Sequence, residues 1–435
     1  MSYSLLLDFG ATRIKSALWD DSTGKLLDIK SRPCTKTNST HLPYFEIPLA
    51  GLTRDFVSVC EDYAARYDYE KIFICSQMHG FVLTDEKHHP LTDYISWQDE
   101  RALLTHGQEP SSWELFSHTF ASDFQSITGM RLRMGFPAVK VLDFLRQHPG
   151  MTIRVLSLPE ALLLAAKPYH KVHLTMAAGS GLVDFETRQG SQKLLEFISH
   201  TTQGAHVAFN EIVTEIVPAG ELSVKHKTRL VYTGVGDHQC AILGAGNTLE
   251  TLSINIGTGS QVSAICKKAP TGTKTERRPF FNNLQLQTIT HIPAGRVLAE
   301  LVNFYHTLTG KDGWEQFQNI STDDIERATL QFNLAFFPDA WGFQNGAGSI
   351  SGLTANGLTE KNFWASLFRS FVQQYISAIH LFSINRKRIV LSGGKLAKHP
   401  LLINQLEKQL KIPCVAIPLA EETLTGLAQL AQTAN

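Results

Sequence analysis

Apolar positions in this chain follow two periods, and the places where one gives way to the other mark its elements. At 4–20, Leu5, Leu6 and Leu7 run into Asp8. A turn of Gly10, Ala11 and Thr12 follows, and Ile14, Ser16 and Leu18 then alternate with Lys15, Ala17 and Trp19. This predicts a strand, a tight turn and a returning strand. Leu49, Leu52, Phe56, Val59 and Tyr63 share one helical face. Residues 71–75 and 81–84 are short apolar runs of strand type, separated by Ser76-Gln77-Met78-His79-Gly80. Strand, helix and strand in that order predict an α/β layer. Helices are predicted at 136–145, 158–166, 239–243, 294–308, 361–384, 399–410 and 421–431, with strands at 388–391 and 415–417. Residues 176–185 read as a small-residue turn entering an apolar run, with no site of its own.

One pattern recurs. At 251–266, Leu252, Ile254 and Ile256 alternate into Gly257-Thr258-Gly259-Ser260, and Val262, Ala264 and Cys266 alternate out. Two Gly/Thr hairpins, one opening each half, form an internal repeat at domain scale. They predict two similar α/β domains, 1–248 and 249–435.

Composition narrows the classes. The chain has 435 residues, 43% hydrophobic and 18% charged, enough for a sizeable core. Lys+Arg and Asp+Glu both number 40, which argues against nucleic acid as a main ligand. The six cysteines form no CxxC pair and read as free thiols in a reducing compartment. No basic-then-apolar leader is visible, and the longest apolar stretch, at 161–166, is too short for a bilayer. The expected setting is the cytoplasm, with no membrane partner; a homodimer is left open.

The turns carry the candidate chemistry. A turn of small and hydroxyl residues bares backbone N–H groups that bind anions, and Asp8 at its entry suits a metal beside that anion. Gln77 and His79 lie at a strand end, where a ligand crevice or a hydrogen-bonded turn is equally expected. Trp97, Gln98, Asp99 and Arg101 offer a ring, an amide and a carboxylate for a polyhydroxylated ligand; a helix N-terminus is the alternative. Gly234 and Gly236 place Asp237 at an exposed tip, or Asp237 caps the helix that follows. Gly393-Gly394, between a strand and a helix, lets a ring or a phosphate lie against the backbone.

Together these residues resemble a family. DFGATRIKSAL at 8–18, SINIGTGSQVS at 253–263 and LSGGKLAKHPLL at 391–402 resemble the two phosphate motifs and the adenosine motif of the FGGY carbohydrate kinases. SQMHG at 76–80, WQDER at 97–101 and GVGDHQCA at 234–241 resemble their sugar-side motifs, and EETLTGLAQLA at 421–431 their closing helix. The resemblance covers essentially the whole chain. It implies an α/β fold of two ribonuclease-H-like domains of the actin-type ATPase class, with the active site in the cleft between them. The first would carry the sugar side and the first phosphate hairpin, the second the other hairpin and the adenosine motif.

The implied activity is ATP-dependent phosphorylation of a sugar with Mg2+. QMHG, WQD and GDHQ together look most like the sedoheptulokinases; xylulokinases share QMHG but typically carry WND and GDN. By resemblance, Asp237 is the catalytic base, ionised and weak at the usual aspartate pKa of about 3.9, and Asp8 the acid near magnesium. Gly10, Thr12 and Arg13 match the first phosphate turn, and Gly257, Thr258 and Gly259 the second. Gly393, Gly394 and Lys398 fall on the adenosine side. Gln77, Met78, His79, Trp97, Asp99 and His238 would line the sugar pocket. Two positions depart from the pattern: Gly342-Phe343-Gln344 replaces a common Gly-Glu-Arg, and Lys398 stands where a small or amide residue is usual. They motivate a second reading, a non-catalytic sugar or nucleotide sensor; an actin-like filament protein would leave QMHG and WQDER without purpose.

Overall fold

The leucine run near the N-terminus forms a strand buried along nearly its whole length, because it is flanked on both sides and covered by helices. In this computed structural model, residues 2–39, 43–105, 107–342, 347–382, 386–418 and 421–434 are described. Phe343, Gln344 and Ile384 lie outside them. The chain divides into two units: Met1–Gly246 with Arg277–Gln285 and Glu421–Asn435, and Asn247–Glu276 with Leu286–Ala420. Each unit is therefore discontinuous, where the hydrophobic pattern predicts one continuous range per domain.

In the first unit, β1 (Tyr3–Phe9) pairs antiparallel with β2 (Arg13–Asp20), and β2 with β3 (Lys25–Pro33). The helix α1 (Leu49–Ala64) buries Leu52, Phe56 and Tyr63 against this sheet, as its spacing predicts. β4 (Lys71–Ser76) lies parallel to β1, with Asp8 opposite Cys75 and Phe9 opposite Ser76. The helix α2 (Pro137–Gln147) packs in a second core with Phe116, Phe124 and Phe136. The 158–166 stretch is shorter than expected: helix only over Leu158–Leu162, then a tight turn over Leu163–Ala165. β5 (Pro218–Val224) and β6 (Lys227–Tyr232) extend the sheet, β6 parallel to β4. Val235–Gly236 then runs beside Cys75–Ser76 and opens α3 (Asp237–Gly244). Parallel strands end on one edge, so Asp8, Gln77 and Asp237 come to the same end of the sheet.

In the second unit, β7 (Thr251–Ile256) and β8 (Gly259–Cys266) form the second hairpin. β9 (Gln285–Pro293) flanks β8 and leads into α4 (Gly295–Thr309). The aromatic face of α5 (Glu360–Ile379) is core, with Trp364, Phe368, Phe371 and Tyr375 buried. β10 (Arg388–Gly393) lies parallel to β7, with Ile256 opposite Gly393. The helix α6 (Pro400–Leu410) and β11 (Cys414–Ala416) complete the layer, β11 parallel to β10.

The closing helix α7 (Glu422–Thr433) belongs to the first unit because of two glycines. A Cβ at Gly244 would collide with the Glu422 carbonyl, and one at Gly426 with the Cys240 carbonyl. The backbones of α3 and α7 therefore touch, as only glycine permits. This is the tight packing predicted for Gly426, with α3 as the neighbour.

Candidate active site

Asp237 is the first helical residue of α3. Gly236 occupies the N-cap and makes no side-chain cap bond, so the capping alternative does not apply. Asp237 Oδ1 accepts the His238 N–H at 2.7 Å. Loss of surrounding water, and next the Asp8 charge, push its carboxyl up to about 7 from an ordinary 3.8, while Arg278 pulls it down. This carboxyl is thus tuned towards neutrality rather than left at the usual carboxylate value.

Asp8 is also raised, first by burial, although the Thr423 hydroxyl donates to its Oδ2 at 2.6 Å and Lys15 lies nearby. Lys15 itself pairs with Glu421 at 2.9 Å. Asp8, buried, and Asp237, half-buried, flank the end of β4; the Asp8 charge raises Asp237, Glu421 raises Asp8, and a cation would relieve this setting. Among the described residues no group of three or more His, Cys, Asp or Glu is placed to hold a metal.

The residues expected to line a sugar pocket fall into two groups. Gln77 is buried, its N–H donating to the Phe9 carbonyl at 2.9 Å, and its side-chain oxygen is buried with no hydrogen-bond partner. Met78 packs against Gly179 and Gly236. His79 holds a left-handed backbone at φ 67°, a conformation that non-glycine residues rarely adopt. Its Nδ1 lies 2.8 Å from the Gly179 carbonyl, which can only accept, so Nδ1 carries the hydrogen. Its ring meets Phe136 edge-on, with centroids 4.8 Å apart. His238 is buried beside Asp237.

The Trp97 loop is built differently. Trp97 is 42% exposed, while Asp99 is 1% exposed. Asp99 Oδ1 accepts from the Arg101 backbone and Nε at 3.0 and 2.8 Å. Its Oδ2 accepts from Phe45 N–H and the Arg101 guanidinium at 2.7 and 2.8 Å. With both oxygens engaged, Asp99 holds the loop from beneath, and Trp97 and Gln98 form its exposed tip. Its carboxyl lies below the usual range because the Arg101 bonds outweigh the burial that would raise it.

The hairpin turns differ in detail. In the first, Gly10 N–H donates to the Arg13 carbonyl at 3.0 Å, and the Arg13 guanidinium runs back along β3 to Ser31, 2.7 Å from its hydroxyl. In the second, Gly257 N–H donates to Gly259 at 2.9 Å, and the Gly257 and Thr258 carbonyls receive the Gly295 and Arg296 N–H groups at the start of α4, at 3.1 and 2.8 Å. Gly393 has φ 104°, and a Cβ there would strike the Ile256 carbonyl. Gly394 N–H donates to that carbonyl at 2.8 Å. Lys398 is exposed at the end of the turn that follows.

Several supporting residues escape a sequence reading. The Thr175 hydroxyl accepts the Gly236 N–H at 3.2 Å, and Gly179 orients His79, so the 176–185 neighbourhood shapes the site after all. Lys140 lies buried under the Trp97 loop. Thr423 is the exception; its segment resembled the closing family motif.

A sequence profile described as the FGGY family of carbohydrate kinases, N-terminal domain, matches residues 3–244, more than half of the chain. Over 290 residues, 61% of this chain and 53% of the relative, the chain is 24% identical to a xylulose kinase of Lactococcus lactis subsp. lactis (strain IL1403). It thus spans about half the length of that relative. The crystal structure of a ligand-bound xylulose kinase from Lactobacillus acidophilus is similar at a TM-score of 0.81 and 18% identity, over 100% of this chain and 89% of that one. A gluconate kinase from Lactobacillus acidophilus is similar at a TM-score of 0.81 and 18% identity, over 99% and 89%. These structural likenesses carry the fold: mixed α/β, with two ribonuclease-H-like domains.

Proposed function

The chain belongs to the FGGY family of carbohydrate kinases, and from that premise we propose that it transfers the γ-phosphoryl group of ATP to a terminal hydroxyl of a ketose or related polyol. The observation that carries this is the pair of acids at one sheet edge, half-buried Asp237 raised to about 7 and buried Asp8. Asp237 takes the hydroxyl proton on its carboxylate as the sugar oxygen bonds to the γ-phosphorus and the bond to ADP breaks. The Gly257–Gly259 turn and Gly393-Gly394 resemble the family's second phosphate motif and adenosine motif, and would hold phosphate oxygens and adenosine against their backbone.

Magnesium suits Asp8: a hard carboxylate oxygen, one protein acid rather than a cage, which is how this ion is held alongside phosphates. When bound it neutralises phosphate charge. Lys15 and Thr423 hold the Asp8 carboxylate in place meanwhile. The six cysteines are free and buried, which supports a reducing, cytoplasmic setting. No helix among the described residues is long and apolar enough to cross a membrane.

For the sugar, Gln98 and His238 favour sedoheptulose; the named relatives favour xylulose as the second candidate. The test is ADP release over sedoheptulose, xylulose, ribulose, fructose, gluconate, erythritol and glycerol, with Asp237→Asn as control. Turnover on a ketose that vanishes in the variant is expected. Silence with every sugar would replace the kinase with a sensor.

A further inference from the structure

The Lys140 side chain is the buried group that the kinase chemistry leaves unused. It is fully buried on α2, in a position that the helical apolar spacing alone would assign to a hydrophobe. A lysine is removed from water at that cost only when carbonyls or charges receive its donors. Its Nζ donates to the Ser96 carbonyl at 2.7 Å and to the Gly135 carbonyl at 3.2 Å.

Those two carbonyls stand one residue before two site features. Ser96 precedes Trp97, and Gly135 precedes Phe136, whose ring packs edge-on against His79. The segments carrying His79 and Trp97 also touch directly: Phe81, just after the His79 turn, exchanges hydrogen bonds with Ile95 at 3.0 and 2.8 Å. The fit is close on the Gly135 side, where a Cβ would lie 3.1 Å from the Trp97 carbonyl. From the other flank the loop is held by Asp99 and Arg101, and Arg101 also pairs with Glu46.

We propose that Lys140 is a positioning residue for the sugar: by gripping the Ser96 and Gly135 carbonyls it sets the Trp97-Gln98 tip and the His79 ring in register with each other. It touches neither sugar nor nucleotide, and its effect passes through those two segments. The proposal rests on the sugar-kinase reading above and adds to it a second layer that fixes how the sugar is presented.

The test is steady-state kinetics of Lys140→Met, which keeps the stem and removes the donors. The sugar KM should rise about tenfold while kcat and the ATP KM stay within about threefold. Gly135→Ala, whose added Cβ presses on the Trp97 carbonyl while leaving the Lys140 side chain in place, should raise the sugar KM in the same direction. An unchanged sugar KM in both variants, or equal losses in sugar KM, ATP KM and kcat, overturns the proposal. Amide exchange separates its failure from failure of the kinase reading. Residues 96–99 and 135–136 should exchange faster in Lys140→Met, with α1 unaffected, whether or not any sugar is turned over. Unchanged exchange in both segments overturns the grip itself.

Discussion

The two Gly/Thr hairpins share one backbone plan, and the acid position is where their difference matters most. Asp8 in β1 stands opposite Cys75 of the parallel strand, and Asn255 in β7 stands opposite Ser392. Phe9 faces Ser76, and Ile256 faces Gly393. The register against the parallel neighbour matches, while the first turn is one residue longer, with Phe9 opposite Ile14 and Ile256 opposite Ser260; the acid of the first hairpin is an amide in the second. Asn255 Nδ2 donates to the Ser392 hydroxyl at 3.0 Å, a neutral pair that satisfies itself. Asp8 is raised first by burial, and its own charge helps raise Asp237. The hairpin is thus a reusable backbone frame, and the charge placed on it decides its task. A carboxylate near a second acid suits metal and proton chemistry; an amide beside glycines suits an anion that must not be repelled.

The comparison can be broken at its most sensitive point by Asp237→Asn. Removing the base should lower kcat by about a thousandfold while sugar binding, read by calorimetry, survives. A variant that keeps most of its turnover would place the chemistry elsewhere. Asp8→Asn makes the first hairpin resemble the second. It should lower kcat/KM for magnesium-ATP by about a hundredfold and leave sugar affinity within about twofold. Equal damage to sugar binding would mean that Asp8 is no metal-side group.

Gly393→Ala sharpens the other side. The left-handed backbone and the Ile256 carbonyl together should cost about 2 kcal/mol of stability, read as a denaturation midpoint shift. Full stability would show that the turn relaxes and that the glycine serves only a ligand.

The smallest effect is in pH. Asp237 must be ionised to act, so kcat/KM should fall by about tenfold per unit below about pH 7. Asp8→Asn should move that limb to lower pH, since the Asp8 charge is one of its causes. The stability sign is opposite. The folded carboxyl titrates near 7 and the unfolded one near 3.8, so the folded state holds the proton more tightly and stability falls as pH rises through that window. An acidic limb that Asp8→Asn leaves in place would disconnect the two acids.

Much of the local structure was legible because it depends on period alone. The hairpins, α1, α4 and the aromatic face of α5 follow from alternation and helical spacing. The 158–166 stretch misled, since a run of leucine and alanine is apolar at every period, and burial from both sides lets the chain turn after Leu162. The discontinuous units were not legible either. α7 joins the first unit through the backbone contact of Gly244 with Gly426, and spacing along a chain does not say which distant glycine another will meet.

By itself, then, the sequence determined the elements, their repeat and the residue types at the turns, because hydrophobic period and turn chemistry are local. Tertiary structure alone decided the roles. It left Trp97 and Gln98 as a tip, committed both oxygens of Asp99 to Arg101 and Phe45, and put Lys140 beneath them. It also brought Asp8 within electrostatic reach of Asp237 and raised both. A carboxylate's charge state depends on lost water and on neighbours hundreds of positions away, and those exist only once the chain has folded.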